Sequence, residues 1–232
     1  MVHLAGLTRK RLSSGNLAAV VDPPVSSEGA RLTARGAATR ERIVLAAAEL
    51  MAVKGVAGTT LDEVRVASGT SKSQLYHHFA AKEELVREVV NHQAGVVLER
   101  QYQLLRGVNS FAGLRRWRDA VVQRNELRGG AHGCEIGTLA AELSDTDEAA
   151  RQALAGHFAT WERLLADGFQ RMRDNGILRA DANPATLSVA VMAAVQGGYL
   201  LAQTAHDAEP MRVALDMALT HVESFQANTT GL

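Results

Sequence analysis

The stretch Thr59-Thr60-Leu61-Asp62-Glu63-Val64-Arg65-Val66-Ala67-Ser68-Gly69-Thr70-Ser71-Lys72-Ser73-Gln74-Leu75-Tyr76-His77-His78-Phe79 reads as a short helix, a glycine turn and a second short helix. Thr59 or Thr60, followed three positions on by Asp62 or Glu63, opens the first helix. The hydroxyl accepts from an orphan backbone N–H, while the acid complements the positive helix end. Leu61, Val64 and Ala67 fall on one face, and Gly69 supplies the positive φ that stops a helix and turns the chain. Ser71 with Gln74 forms a second capping pair; Leu75 and Phe79, four apart, pin that second helix to a core. At about 100° per residue, Ser73, Gln74, Tyr76 and His77 then point away from Leu75.

That outward face carries the groups that bind a duplex. Gln pairs bidentately with adenine in the major groove, Ser and His donate to or accept from base edges, and a Tyr hydroxyl suits a phosphate oxygen. The plain alternative is a solvated polar face on an ordinary short helix. The neighbouring residues favour the DNA reading. Thr39 to Gly55 is helix-rich, with Ile43, Ala46, Ala47, Leu50 and Val53 or Lys54 in a stripe and Gly55 as the stop, so three helices close a small core.

The block from about Arg40 through Leu85 resembles the N-terminal domain of the tetracycline-repressor (TetR) family of bacterial transcription regulators. The resemblance is carried by Gly55, Thr59-Thr60, Asp62, Val64, Gly69, Ser71-Lys72, Leu75-Tyr76-His77-His78-Phe79 and Lys82-Glu83-Glu84-Leu85. It implies that Ser71 through His77, including Lys72, Ser73 and Gln74, enter the major groove, and that Tyr76 and Lys82 hold phosphates. Thr60 and Thr70 complete the expected DNA-contacting set. Lys82 opens the next helix, where free N–H groups and a cation together favour an anion. Two residues depart from the family pattern. Arg65 stands where Ala is usual at the crossing of the two reader helices, and must snorkel outward or splay it; Val56 stands where an aromatic residue is common.

With 232 residues, 47% of them hydrophobic, the chain supports a sizeable core in one large or two modest domains. Its formal net charge of zero excludes an overall basic field, so attraction to DNA must be local. Arg9-Lys10-Arg11, Arg31, Arg35, Arg40 and Arg42 load the early chain with positive charge. Residues 1–35, with Pro23-Pro24 and no sustained periodicity, are read as a mobile arm that either follows a DNA backbone or is merely solvated. A single cysteine, Cys134, excludes an internal disulfide and fits a reducing cytoplasm. The Arg9-Lys10-Arg11 cluster follows rather than precedes the mildly apolar start, the reverse of a secretory signal. Leu187 to Ala202 is uncharged but short for a membrane span, and reads as a buried helix.

From Lys82 onward the chain is helix after helix, so the fold class is all-α. The expected helices run from Lys82 to Arg106, Phe111 to Arg128, Thr138 to Leu143, Asp147 to Asp174, Asn183-Pro184 to Ala205, and Glu209-Pro210 to Gln226. Gly133 to Leu143, Trp161-Glu162, Asn175 to Leu178 and Gln196 to Ala202 resemble the effector domain of the LmrA/YxaF-like branch of the TetR family, with Glu135 in place of a common Pro. The expected organisation is an arm over 1–35, a helix-turn-helix DNA-binding domain over 36–84, and a helical effector-binding and dimerisation domain over 85–228.

In such proteins the last two long helices pair with their copies as a four-helix bundle. Leu187, Val191, Ala194, Gly198 and Leu201, with Met211, Leu215 and Leu219, supply broad apolar surfaces for a homodimer seam; the alternative is burial inside one chain. A sensor cavity is expected to be lined by Trp117, Phe158, Trp161, Met192 and Gln196, for an apolar or aromatic small effector as the resemblance implies. No paired Cys or His spacing completes a zinc site around His132 and Cys134, and no phosphate-cradling loop, nucleophile elbow or zinc-protease helix occurs, so neither cofactor nor catalytic residue is expected. The expected partners are a palindromic DNA duplex, a small effector and a second copy. The competing readings are a DNA-binding regulator that answers to no small molecule and, last, a helical enzyme.

Overall fold

The computed structural model describes residues 33–227, which form nine α-helices. They are α1 (Ala34–Lys54), α2 (Leu61–Ser68), α3 (Lys72–His78), α4 (Lys82–Leu105), α5 (Phe111–Leu127), α6 (Glu135–Leu143), α7 (Glu148–Asp174), α8 (Pro184–Ala205) and α9 (Glu209–Glu223). Extended pairing among the described residues is limited to an isolated bridge between Leu178 and Gln226.

Two helix starts differ from the sequence expectation. α1 begins at Ala34, because the Thr33 hydroxyl caps it by accepting from the Gly36 N–H at 3.2 Å. Its first turn carries Gly and Ala with no apolar stripe, so hydrophobic periodicity starts only at the following turn. The stretch assigned to an arm thus loses its last two residues to α1, and residues 1–32 lie outside the described residues. α6 begins at Glu135 rather than Thr138, with Gly137 hiding its first turn from a propensity reading.

Helices α1 to α3 and the start of α4 enclose a core of Ile43, Ala47, Met51, Val64, Leu75, Phe79, Leu85 and Val89. Burying each of the larger side chains contributes about 1.5–3 kcal/mol. Arg40 fastens the corner: its guanidinium lies 5.0 Å above the Phe79 ring while Nη2 donates to Glu88 Oε2 at 2.6 Å, linking α1, the end of α3 and α4. With 24 residues, α4 is about 36 Å long. Val86 and Val89 on its first half are buried with the α1–α3 core, and the helix packs along α7, whose Arg171 donates to the Leu105 carbonyl at the far end, so one rod joins the two halves of the molecule.

The second half packs α8 tightly on α9 and on α7. A Cβ at Gly198 would lie 3.0 Å from the Met211 Cα, so the two helices touch almost backbone to backbone there. This revises the expected dimer seam. Leu187, Val191, Gly198, Met211, Leu215 and Leu219 are buried within the single chain, Ala194 is half-buried, and only Leu201 of that set is exposed. The close approach allowed by Gly198 serves α8 against α9 of the same chain. α8 is apolar nearly all round, and by length and composition alone it would pass as a membrane span; periodicity therefore could not tell its inner face from its outer one. The outer face carries Val189, Leu200 and Leu201, continued on α9 by Val213 and Met217.

Candidate nucleic-acid interface and C-terminal core

Both short helices of the reader are held by reciprocal caps. At α2 the Glu63 N–H donates to Thr60 Oγ1 at 3.2 Å, and the Thr60 N–H donates to Glu63 Oε2 at 2.9 Å. Lys54 at the end of α1 donates to the other Glu63 oxygen at 2.6 Å. Hydrogen bonds from Lys54 and then Thr60 hold the Glu63 carboxyl well down, at about 2 against an ordinary 4.5. A carboxylate so depressed adds stability that is complete above about pH 4.5 and fades as pH falls towards 2. A titration followed by NMR should therefore show the Glu63 carboxyl midpoint far below the ordinary 4.5, with α2 fraying as it protonates; a midpoint near 4.5 would remove this cap from the account.

Gly69 takes the left-handed conformation, φ 64° and ψ 31°, and its N–H closes α2 on the Arg65 and Val66 carbonyls. Arg65 resolves the crowding expected at the crossing by snorkelling: its Nε donates to Asp62 Oδ1 at 2.8 Å, drawing the guanidinium along the first turn of α2. At α3 the Gln74 N–H donates to Ser71 Oγ at 3.1 Å, and the Ser71 N–H donates to Gln74 Oε1 at 2.9 Å. The sequence offers Gln74 both as cap and as base reader, and the structure spends its amide oxygen on the cap.

Ser71, Lys72, Ser73, Gln74, Tyr76 and His77 share the exposed side of α3, and Thr60 is exposed at the head of α2. Lys82 is half-buried as the first residue of α4. Thr70 departs from the expected set: it is only 5% exposed, and its hydroxyl pairs with Ser68 Oγ at 2.9 Å, so its side chain belongs to the turn and not to the outer face. His78, behind His77 in edge-to-face contact at 5.2 Å, is held below its ordinary value by burial and then by His77 and Arg40, which keeps it neutral against the core.

The reader is also tied to the C-terminal half. The Val56 N–H, just past α1, donates to Glu142 Oε2 of α6 at 2.7 Å. Gly55 fits under the same carboxylate; a Cβ there would meet Glu142 Oε2 at 3.0 Å.

In the C-terminal half, Trp117 is buried and its Nε1–H donates to Gln101 Oε1 at 2.9 Å. Trp161 is equally buried, and its Nε1–H has no acceptor among the described residues. Met192 is buried, its sulfur accepting weakly from Gln196 Nε2 at 3.7 Å, and Phe158 packs half-buried on the same core. Of the five residues expected to line a cavity, Gln196 faces a recess of about 370 Å³ between α6 and α8, with Cys134, Thr138, Tyr199 and Gln203 also on its wall. Burial pushes the Cys134 thiol up, which makes it a poor nucleophile. Burial, with Cys134 and Glu135 nearby, pushes Tyr199 up to about 12. Sequence reasoning missed Gln101 and Asn125, both buried polar residues, as well as Glu142 and the exposed apolar stripe of α8 and α9. An unbroken helical pattern with a Gln or Asn on its apolar face was the available sign for the first two.

Comparison with known proteins agrees with this architecture. Residues 43–89 match the bacterial regulatory proteins of the tetR family, and residues 111–217 match the C-terminal domain of the LmrA/YxaF-like transcriptional regulators. The HTH-type transcriptional regulator LmrA of Bacillus subtilis is 29% identical over 175 residues, 75% of this chain and 90% of its own. The HTH-type transcriptional repressor DhaR of a Mycobacterium species is 25% identical over 183 residues, 79% of this chain and 89% of its own. A crystallised TetR transcriptional regulator from Chloroflexus aurantiacus superposes with a TM-score of 0.73 at 25% identity, covering 84% of this chain and 98% of that one. A helix-turn-helix head on a helical C-terminal domain defines a transcription regulator. The chain belongs to the TetR family, with a C-terminal domain of the LmrA/YxaF-like kind.

Proposed function

We propose that the protein is a cytoplasmic, homodimeric, non-enzymatic repressor that a small effector releases from a palindromic operator. The observation that carries this reading is that the molecule has two unpartnered faces of opposite chemistry. One is the polar face of α3, with Ser71, Lys72, Ser73, Gln74, Tyr76 and His77; the other is the apolar stripe of Val189, Leu200, Leu201, Val213 and Met217 on α8 and α9. A stripe of that kind is covered in solution, and a two-fold contact through it presents two readers to successive major grooves about 34–36 Å apart. Repression is the sign in the printed name of the relative DhaR.

Effector and DNA then compete by favouring different spacings of the two readers, with α4 and the Glu142–Val56 contact as the links from sensor to reader. Gln196, on the wall of the α6–α8 recess, is the residue of the expected set best placed to meet an effector, and the buried Trp161, whose indole N–H has no acceptor among the described residues, is the next candidate; Trp117, Met192 and Phe158 are packed in the core. The second reading, a regulator with no small-molecule effector, is favoured by the close packing around Trp117 and Met192. A ligand that both raises the melting temperature and frees the operator decides for the first.

Footprinting on DNA beside the protein's own gene supplies the operator. On that operator, His77→Ala should lower affinity by about 1–3 kcal/mol and relax preference at one position of each half-site. Lys82→Ala should instead weaken binding to every sequence and flatten its salt dependence. Equal, salt-insensitive losses in both variants would overturn the assigned roles.

A further inference from the structure

The recess between α6 and α8 is built around two amides. Gln196 and Gln203 of α8 lie seven residues apart, so they share one face about 10 Å along the helix. Each rests over a bare glycine of the facing segment: a Cβ at Gly137 would lie 2.6 Å from Gln196 Oε1, and one at Gly133 would lie 2.6 Å from Gln203 Oε1. Both amides are seated by this fit, yet their hydrogen-bonding capacity is not used up. The Gln196 nitrogen has weak sulfur partners, Met192 Sδ at 3.7 Å and the Cys134 thiol. Thr138 gives its proton to the Cys134 carbonyl at 3.1 Å, which leaves its hydroxyl oxygen open to accept.

No charged side chain of the described residues lines this recess. Its volume of about 370 Å³ is that of a small-molecule site. A charged ligand would shed its hydration here with no counter-charge to meet, whereas a neutral one with a donor and an acceptor satisfies the amides and the hydroxyl. The mouth decides where such a molecule sits. Cys134 and Tyr199 are buried on the inner wall, and Ala141, Gly197, Leu200 and Gln203 are exposed around the opening. Leu200 belongs to the apolar stripe read above as the dimer seam. Gly197, three residues before Leu200 and four before Leu201, lies on the same stripe, and a Cβ there would meet nothing of the surrounding chain within 4 Å. A second copy laid on that stripe closes the open side of the recess.

We infer that the recess is one wall of a site completed by the partner copy, and that this site takes a neutral, largely apolar molecule carrying both a hydrogen-bond donor and an acceptor. The inference rests on the effector-released reading above and specifies where its ligand sits and of what kind. A molecule held between α6 and α8 of one copy and the stripe of the other fixes the angle at which the copies meet. It therefore selects one spacing of the two readers at the seam itself.

The test is the rate at which two differently labelled preparations of the full chain exchange subunits, without DNA, in 2-naphthamide, in its acid 2-naphthoate and in neither. The amide should slow exchange saturably, by roughly fivefold or more, a usual size of coupling between linked sites; the acid should leave the rate unchanged. Gln196→Leu should abolish the effect. Ala141→Leu, which fills the mouth from an exposed position of α6 with another strong helix former, should abolish it too, and decides the matter should Gln196→Leu fail to fold. A melting temperature raised by the amide at an unchanged exchange rate would place the ligand inside one copy and overturn the shared site. Equal slowing by the acid, no response to the amide, or a full response in Ala141→Leu would overturn it as well. An operator titration of the same preparations separates the two readings. A chain that binds operator and ignores the amide loses only this site, whereas one whose exchange the amide slows but which binds no duplex keeps the site and loses the regulator.

Discussion

Leu201→Glu should yield a well-folded monomer that has lost its operator. Leu201 is 57% exposed in the single chain, next to Leu200 on α8, and Val213 and Met217 on α9 are 58% and 69% exposed. A carboxylate there costs the isolated chain little, since it stays in water, but two copies brought together on a two-fold axis would bury a pair of like charges in an apolar seam. With the seam gone, the second reader no longer binds from an effective concentration set by the first, and avidity of about 10²–10⁴ is forfeited. Sedimentation and gel-shift measurements on one preparation check both halves of the expectation. Leu215→Glu is the control: Leu215 is fully buried between helices of its own chain, so its replacement should unfold the C-terminal domain outright. A Leu201→Glu variant that remains dimeric would move the seam elsewhere.

The second large effect is expected at Phe79→Ala. Phe79 is among the largest fully buried side chains, ends α3 with its N–H bonded to the Leu75 carbonyl at 2.9 Å, and lies beneath the Arg40 guanidinium. Its truncation should destabilise by about 3–5 kcal/mol, and the Arg40–Glu88 pair loses the ring that positions it. The reader is a small unit with few other large buried side chains, so the loss should melt α1–α3 selectively. Circular dichroism should report lost helix and binding assays no operator affinity, while sedimentation still reports a dimer. Retained operator binding would show that α3 is held by something other than this corner.

The sequence made the reader legible almost to the atom because its signals are local: Thr60 with Glu63 and Ser71 with Gln74 lie three apart, and Gly69 alone fits the turn between them. Helix ends marked by proline were equally plain, as at Pro184 in α8 and Pro210 in α9. What failed were judgements of side. The apolar residues of α8 surround the helix, so which of them meet α9 and which meet solvent depends on the angle at which the two helices pack, a long-range outcome. Thr70 failed for a related reason, since whether a turn residue looks in or out is fixed by the neighbour its hydroxyl finds, here Ser68. The α6–α8 recess joins segments far apart in the chain, and only the tertiary fold brings Gly133 and Gly137 under Gln203 and Gln196.

Gln74 has a consequence for how the operator is spelled. With its carbonyl oxygen already engaged by the Ser71 N–H, the side chain reaches the groove with its amide N–H donors free and an acceptor whose remaining lone pair is aimed by the cap. Where that fixed oxygen does not line up with an adenine N6 amino group, the donor alone reads, and N7 of either purine, O6 of guanine and O4 of thymine all accept from it. A bidentate pair with adenine then requires Gln74 to loosen the helix start it secures. Bases beneath this residue should therefore vary among natural operators, leaving strict spelling to the positions under Ser73 and His77.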